Sequence, residues 1–277
     1  MKIKSVRCVC FSPTGTTKTI AESIAQGISP EFIEMIDITK RSQRNSQPLL
    51  GEDDIVILAT PVYYGRVPEE ILPYLTSLKA TQTPVVLVAV YGNRAFEDAL
   101  KELHDIAVDA EFIPAAGGAF VAEHSYSSKT YPIAPNRPDE SDIRKAQEFG
   151  AAIRKKLQNV ESSGHLTAIT IPGQSPYIEP VNLNMIKEAR SFVAVTPETD
   201  ASKCTLCGQC AEVCPTGAIS PEDVTQTDRW QCLICFACVK ICPEEARQMN
   251  EPNFQSAIQT LQQNCQDRKE PELFLYK

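Results

Sequence analysis

Eight of the eleven cysteines fall between Cys204 and Cys242, and they form two copies of one pattern. The first copy is Cys204, Cys207, Cys210 and Cys214, followed by Pro215; the second is Cys232, Cys235, Cys238 and Cys242, followed by Pro243. Both read C-x2-C-x2-C-x3-C-P with an offset of 28 residues, so the segment is an internal repeat. A cubane iron–sulfur cluster needs four thiolates at tetrahedrally arranged irons. Three cysteines spaced by two residues wrap three corners in one tight loop, and the fourth, just before a proline, comes from the other repeat. The spacing therefore assigns Cys204, Cys207, Cys210 and Cys242 to one [4Fe–4S] cluster, and Cys232, Cys235, Cys238 and Cys214 to a second. Small residues in the loops, Gly208 and Ala237, let backbone amides approach the sulfides. Leu206, Val213, Leu233, Ile234 and Ile241 are expected to keep water off them. Zinc fits less well, because its sites usually take two C-x2-C pairs. Disulfides are disfavoured by clustered cysteines in a reduced compartment.

A second group of candidate residues lies near the start. Ser12-Pro13-Thr14-Gly15-Thr16-Thr17 joins an apolar strand to a helix-patterned run. Small hydroxyl residues and a glycine at a helix N-terminus turn backbone amides, and the positive end of the helix dipole, toward an anion. The loop has no lysine, so it is not a Walker A loop, and it suits a terminal monophosphate better than a triphosphate. Two further loops follow apolar runs. They are Thr60-Pro61-Val62-Tyr63-Tyr64-Gly65-Arg66 and Tyr91-Gly92-Asn93-Arg94, which bring aromatic and backbone groups suited to a flat ring.

The elements that must position these loops are legible as alternating patterns. Strands are expected over Ile3 to Phe11, Phe32 to Ile38, Asp54 to Thr60, Pro84 to Tyr91 and Phe112 to Ala122, the last weakened by Gly117 and Gly118. Helices are expected on Ile20, Ile24 and Ile28, over Pro68 to Leu78, on Phe96 to Ala107, and on Ile143 to Leu157 with Asp139 or Ser141 as cap. Five strands alternating with helices predict an α/β fold, an open parallel sheet with helices on both faces. Ligands of such sheets sit outside the carboxyl ends of the strands, where the three loops fall. The domains expected are 1–160 for this sheet, 161–198 for a linker, 199–248 for the cysteine repeats, and 249–277 for a C-terminal helix and tail. The Pro-, Gly- and Ser-rich linker carries a short helix near 184–191.

The cysteine region resembles bacterial-type two-cluster ferredoxins over about 50 residues. Ser12-x-Thr14-Gly15-x-Thr17 matches the flavodoxin phosphate loop, and TPVYYGRVP and VYGNR look like segments of flavodoxin–ferredoxin fusion proteins. The resemblance covers most of the chain. It implies a five-stranded flavodoxin-like sheet plus a small α+β ferredoxin domain. It also implies FMN held by residues 12 to 17, by Pro61, Val62, Tyr63, Tyr64 and Gly65, and by Gly92, Asn93 and Arg94. Arg94 is a candidate contact for the pyrimidine edge of the flavin. Flavin takes two electrons and each cluster one, so the expected function is a relay between FMN and two [4Fe–4S] clusters, serving partner redox proteins in oxygen-poor metabolism. Competing expectations are an FMN-dependent reductase of a small substrate, and a ferredoxin with a flavin-free docking domain.

Composition bounds the rest. The 277 residues carry a net charge of −8, which argues against nucleic-acid binding and for partners with basic docking surfaces. No apolar run approaches membrane-spanning length, and Met1 to Phe11 lacks the apolar core of a signal peptide, so a cytoplasmic location is expected. Cys8 and Cys10 share one strand face and are expected to be buried thiols; Cys265 is expected to be structural or exposed. His124 follows the fifth strand near the ligand end, as a loop histidine or a ligand contact.

Overall fold

The computed structural model describes residues 1, 3–28, 32–48, 50–51, 54–178, 188 and 195–276. In chain order its first half runs β1 (Ser5–Cys10), α1 (Thr16–Ile28), β2 (Ile33–Asp37), β3 (Asp54–Pro61), α2 (Leu72–Ser77), β4 (Pro84–Tyr91), α3 (Ala99–Asp109), β5 (Ile113–Val121) and α4 (Glu140–Gln158). The strands stand in the order β2-β1-β3-β4-β5, all parallel. The order reverses between β1 and β3, the point where a doubly wound sheet opens a crevice for a ligand. Every residue of β4, and all of β3 but its last, is buried, because helices cover both faces of the sheet. α1 and α4 pack on one face with Ile20, Ile24, Phe149 and Ile153. α2 and α3 pack on the other with Leu75, Leu100 and Leu103. Asp139 caps α4 by accepting from Ser141 N (2.9 Å) and Asp142 N (3.0 Å).

Cys8 and Cys10 are buried in the first of these cores, and burial pushes the Cys8 thiol up to about 12. They are inert packing groups.

The sheet has six strands rather than five. After the second half of the chain, β6 (Glu198–Thr199), α5 (Gln209–Glu212), α6 (Ala237–Ile241), β7 (Arg247–Gln248) and α7 (Pro252–Asn264) lead to β8 (Glu272–Phe274), which adds antiparallel to β5. Three residues are too few to show a period, so the sequence pattern hides this strand. Part of the expected linker also belongs to the α/β part. Ile169 and Ile171 are buried beside Leu100, and a Cβ on Gly117 would meet Ile171 Cδ1 at 2.6 Å. The glycine that weakens β5 by propensity is thus the one that admits this segment. Farther on, Gln174 N and Ile178 N donate to Asp98, and the Tyr177 hydroxyl donates to Asp105. Of the helix expected near 184–191, all but residue 188 lies outside the described residues. β6 and β7 pair antiparallel and tie the start of the cysteine repeats to their end.

α1 and α4 meet backbone to backbone. A Cβ on Gly150 would land on the carbonyl oxygen of Ile24, and one on Gly27 on that of Gln147. Gly150→Ala is therefore expected to lower the unfolding free energy by about 1–3 kcal/mol in urea denaturation, with iron and flavin per folded chain unchanged.

Candidate cofactor sites

A cleft opens at the carboxyl ends of β1, β3, β4 and β5. Its floor begins with the loop after β1. Ser12 N donates to Thr39 Oγ1 (2.9 Å), and Ser12 Oγ accepts from Lys18 N (3.0 Å). Gly15 has φ +85° and accepts from Thr19 N (3.1 Å). The first N–H groups of a helix have no partner inside it; with Lys18 and Thr19 satisfied, Thr16 and Thr17 stand at the open end of α1. Pro13, Thr14, Thr16 and Thr17 line the cleft, whereas Ser12 and Gly15 shape the loop behind it.

The loop after β3 is a tight reversal. Tyr63 and Arg66 exchange backbone hydrogen bonds of 3.0 Å across Tyr64 (φ +53°) and Gly65 (φ +76°). Arg66 clamps it from below, forked on Glu102 at 2.7 and 2.9 Å. Pro61, Val62, Tyr63, Tyr64 and Gly65 all line the cleft.

The loop after β4 divides its three residues. Gly92 lines the cleft because a Cβ there would collide with the ring of His124. Asn93 turns away from it: its Nδ2 donates to Cys265 O (2.8 Å) and Asp267 O (2.9 Å). Asn93 thus anchors the C-terminal segment, with Cys265 buried beside it. Arg94 lines the cleft with its guanidinium held by Glu97 at 2.7 and 2.8 Å, which raises its pKa.

In the remaining wall the sequence offers only His124 as a ligand contact. The loop after β5 contributes His124, Ser125 and Tyr126, and the cysteine-rich part contributes Leu233, Ile234 and Leu261. His124 Nδ1 accepts from Tyr126 N (3.1 Å), which leaves the ring proton on Nε2. Burial, with Arg94 and Lys240 nearby, pushes His124 down to about 4. It is a neutral donor at physiological pH. Its place at the end of β5 is the one sequence signal that reaches this wall; Tyr126 and Leu261 have none.

The structure brings the eight repeat cysteines together as two groups of four. Cys204, Cys207, Cys210 and Cys242 line one cavity. Cys214, Cys232, Cys235 and Cys238 line another. Among the described residues no three Cys, His, Asp or Glu groups close on a single-ion site. Each set instead surrounds a volume, as a four-iron cube requires. The loops repeat their backbone. Leu206 and Gly208 in the first, and Ile234 and Phe236 in the second, all have positive φ, which turns successive amides inward as an anion-binding nest. Amides also reach ligand sulfurs, Ile234 N to Cys232 Sγ at 3.4 Å and Ala246 N to Cys242 Sγ at 3.3 Å. These features fit an iron–sulfur cube in each cavity.

The two cavities differ in depth. Cys232, Cys235 and Cys238 are buried, and burial pushes the Cys238 thiol up to about 11. Cys207 is exposed, and Leu206 beside it is 67% exposed, with Ile241 at 41%. Leu206 and Ile241 therefore face solvent and shield no cluster, contrary to expectation: Leu206 shares its left-handed backbone with Ile234 (φ +57° and +55°), but only Ile234 has the cleft to pack into. Ile234, the counterpart of Leu206, is 3% exposed. We call the buried cavity inner and the other outer.

Family models agree with the two parts. A model described as a flavodoxin domain matches residues 9–111, and one described as a 4Fe–4S binding domain matches residues 197–220. Among solved structures, a flavodoxin of Streptococcus pneumonia TIGR4 is 20% identical, with 55% of this chain and 99% of that one covered at a TM-score of 0.39. Oxidised Flavodoxin 2 from Bacillus cereus is 16% identical, with the same coverages and a TM-score of 0.38. No curated protein matches the chain. Among the described residues no helix is long and apolar enough to cross a membrane.

His124 gives the site a pH signature. Its folded pKa of about 4 lies below the ordinary 6.5, so the unfolded chain binds more protons between the two. The histidine's contribution to stability is present above about pH 6.5 and is lost as pH falls toward 4. Denaturation midpoints should drop across that window, and His124→Gln should flatten the drop.

Proposed function

We propose, for a chain that joins an N-terminal flavodoxin domain to a C-terminal 4Fe–4S ferredoxin-like domain, that it relays electrons between FMN in the cleft, two [4Fe–4S] clusters in the inner and outer cavities, and a redox protein outside. The two domains give the chain a redox, electron-transfer role; the relay, its order and its partner are our reading. FMN supplies a carrier of two electrons, and each cluster supplies a carrier of one.

One observation carries the order. Leu233 lines both the cleft and the inner cavity, so the two share a wall residue. Cys210 of the outer set and Cys238 of the inner set share one buried cluster with Ile219 and Val224, which supports direct passage between the cavities. Exposed Cys207 supports exit at the outer cavity. Glu244 lines the same cavity, and elsewhere in the cysteine-rich part Glu212, Glu222 and Asp223 are exposed, which favours a basic partner.

The protein's own groups serve this reading in definite ways. Thr16 and Thr17 offer helix N-terminal amides to the FMN phosphate. Tyr63, Tyr64 and Tyr126 supply walls for the ring, and burial raises the pKa values of Tyr63 and Tyr126, so they stay neutral. Neutral His124 offers its Nε2 proton as a hydrogen-bond donor. Leu233, Ile234 and Leu261 close the cleft against water.

Anaerobically purified chain should hold about eight irons and one FMN. In Cys235→Ser, light-driven reduction of the flavin should no longer be followed by bleaching of cluster absorbance, with FMN content unchanged. Eight irons without FMN after reconstitution would sink the assignment of residues 12–17 and leave a ferredoxin with a docking domain.

A further inference from the structure

Arg247 is a buried cation where the repeat supplies an apolar residue. With a 28-residue offset its counterpart is Ile219, and both side chains are 2% exposed. A buried charge requires a charged partner or a full set of hydrogen bonds. Arg247 has neither from the protein. Nη1 donates to Thr199 Oγ1 (2.6 Å), and Nη2 donates to Pro197 O (2.9 Å) and Thr227 Oγ1 (2.5 Å), all neutral oxygens. Its Nε–H is buried without a partner.

What surrounds it is sulfur. Nη2 lies 3.9 Å from Cys238 Sγ of the inner set, and Arg247 also lines the outer cavity with Cys204, Cys207, Cys210 and Cys242. The guanidinium therefore stands between the two cavities and reaches both.

We infer that Arg247 is the shared counter-ion of the two clusters, donating Nη2–H to Cys238 Sγ on the inner side and Nε–H to a sulfur on the outer side, and that it raises the reduction potential of both. The inference rests on the two-cluster reading above. Reduction adds one electron to a cluster; no bond breaks and no proton moves. A fixed positive charge in a low-dielectric site stabilises the more negative, reduced form over the oxidised one, and hydrogen bonds to sulfur act in the same direction. Arg247 is a positioning and tuning residue here, and it carries no electron itself.

A purely structural role would instead make Arg247 a clamp on β6, through Thr199 and Pro197. The two roles part in a redox titration of the full, cluster-loaded chain, with each cluster followed by its electron paramagnetic resonance signal. Arg247→Ile installs the residue that the first repeat carries. We expect it to hold about eight irons and to shift both midpoints to more negative potential, with the reduced-to-oxidised ratio at the wild-type midpoint falling at least about tenfold, or about 59 mV for a one-electron couple. Unmoved midpoints in an eight-iron variant would overturn the inference and leave the clamp. If Arg247→Ile loses iron, Arg247→Gln, which keeps hydrogen-bonding capacity without charge, is titrated under the same two outcomes. Failure of the two-cluster reading looks different: wild-type chain would bind four irons or fewer, whatever residue 247 is.

Discussion

Tyr126 meets Phe236 with ring centroids 4.7 Å apart and Phe254 at 5.1 Å, and Phe236 stacks on Phe254 at 5.9 Å. Three elements join at this contact: the loop after β5, the second cysteine loop, and the first turn of α7. Phe236 also lines the inner cavity, and Tyr126 lines the cleft. The backbone at Phe236 is left-handed, which costs a bulky residue about 1–3 kcal/mol. Burial of three aromatic rings, with about 0.5–1.5 kcal/mol more for each favourable pair, offsets that strain.

Polar contacts along the same seam act on orientation more than on stability. Lys240 of α6 reaches Glu123 (2.5 Å) and Ser127 O (2.8 Å) beside the cleft. Arg41 N donates to Pro215 O (3.0 Å), and its guanidinium reaches Thr216 O, Gln231 and Glu70. Pro215 directly follows Cys214, so Arg41 holds the strand of chain that crosses from one cluster loop to the other. Lys129–Glu245 spans the seam too, but both side chains are highly exposed (91% and 73%), and such pairs contribute about 0–1 kcal/mol. Directionality comes from the partly buried groups, affinity from the rings.

The cysteine pattern was readable because thiolate spacing is a chemical requirement that survives without context. The strands β3 and β4 were readable because burial on both faces leaves an uninterrupted apolar run. Residues whose role depends on distant chain were not. Asn93 looks like a ring contact by position, but its amide is claimed by carbonyls of Cys265 and Asp267, more than 170 residues away. Ile169 and Ile171 sit in a Pro- and Gly-rich stretch and read as linker until Gly117 makes room for them. β8 has three residues and no period. Leu206 and Ile234 have equivalent positions and similar side chains, and nothing local says that one faces solvent and the other the cleft.

The divergence of the two repeats is itself informative. At equivalent positions the first loop carries Leu206, Gly208 and Ile219, and the second Ile234, Phe236 and Arg247. The left-handed position that glycine adopts freely at 208 is occupied at 236 by a phenylalanine that must be held there by the seam. A repeat evolving only to hold a cluster would have no reason to accept that strain. The strained, aromatic loop is the one turned toward the flavin cleft, and the relaxed glycine loop is the one left at the surface with Cys207. For the relay proposed above, an internal face fixed by packing would keep a constant gap on one side, and an external face left open would give access to a changing partner on the other.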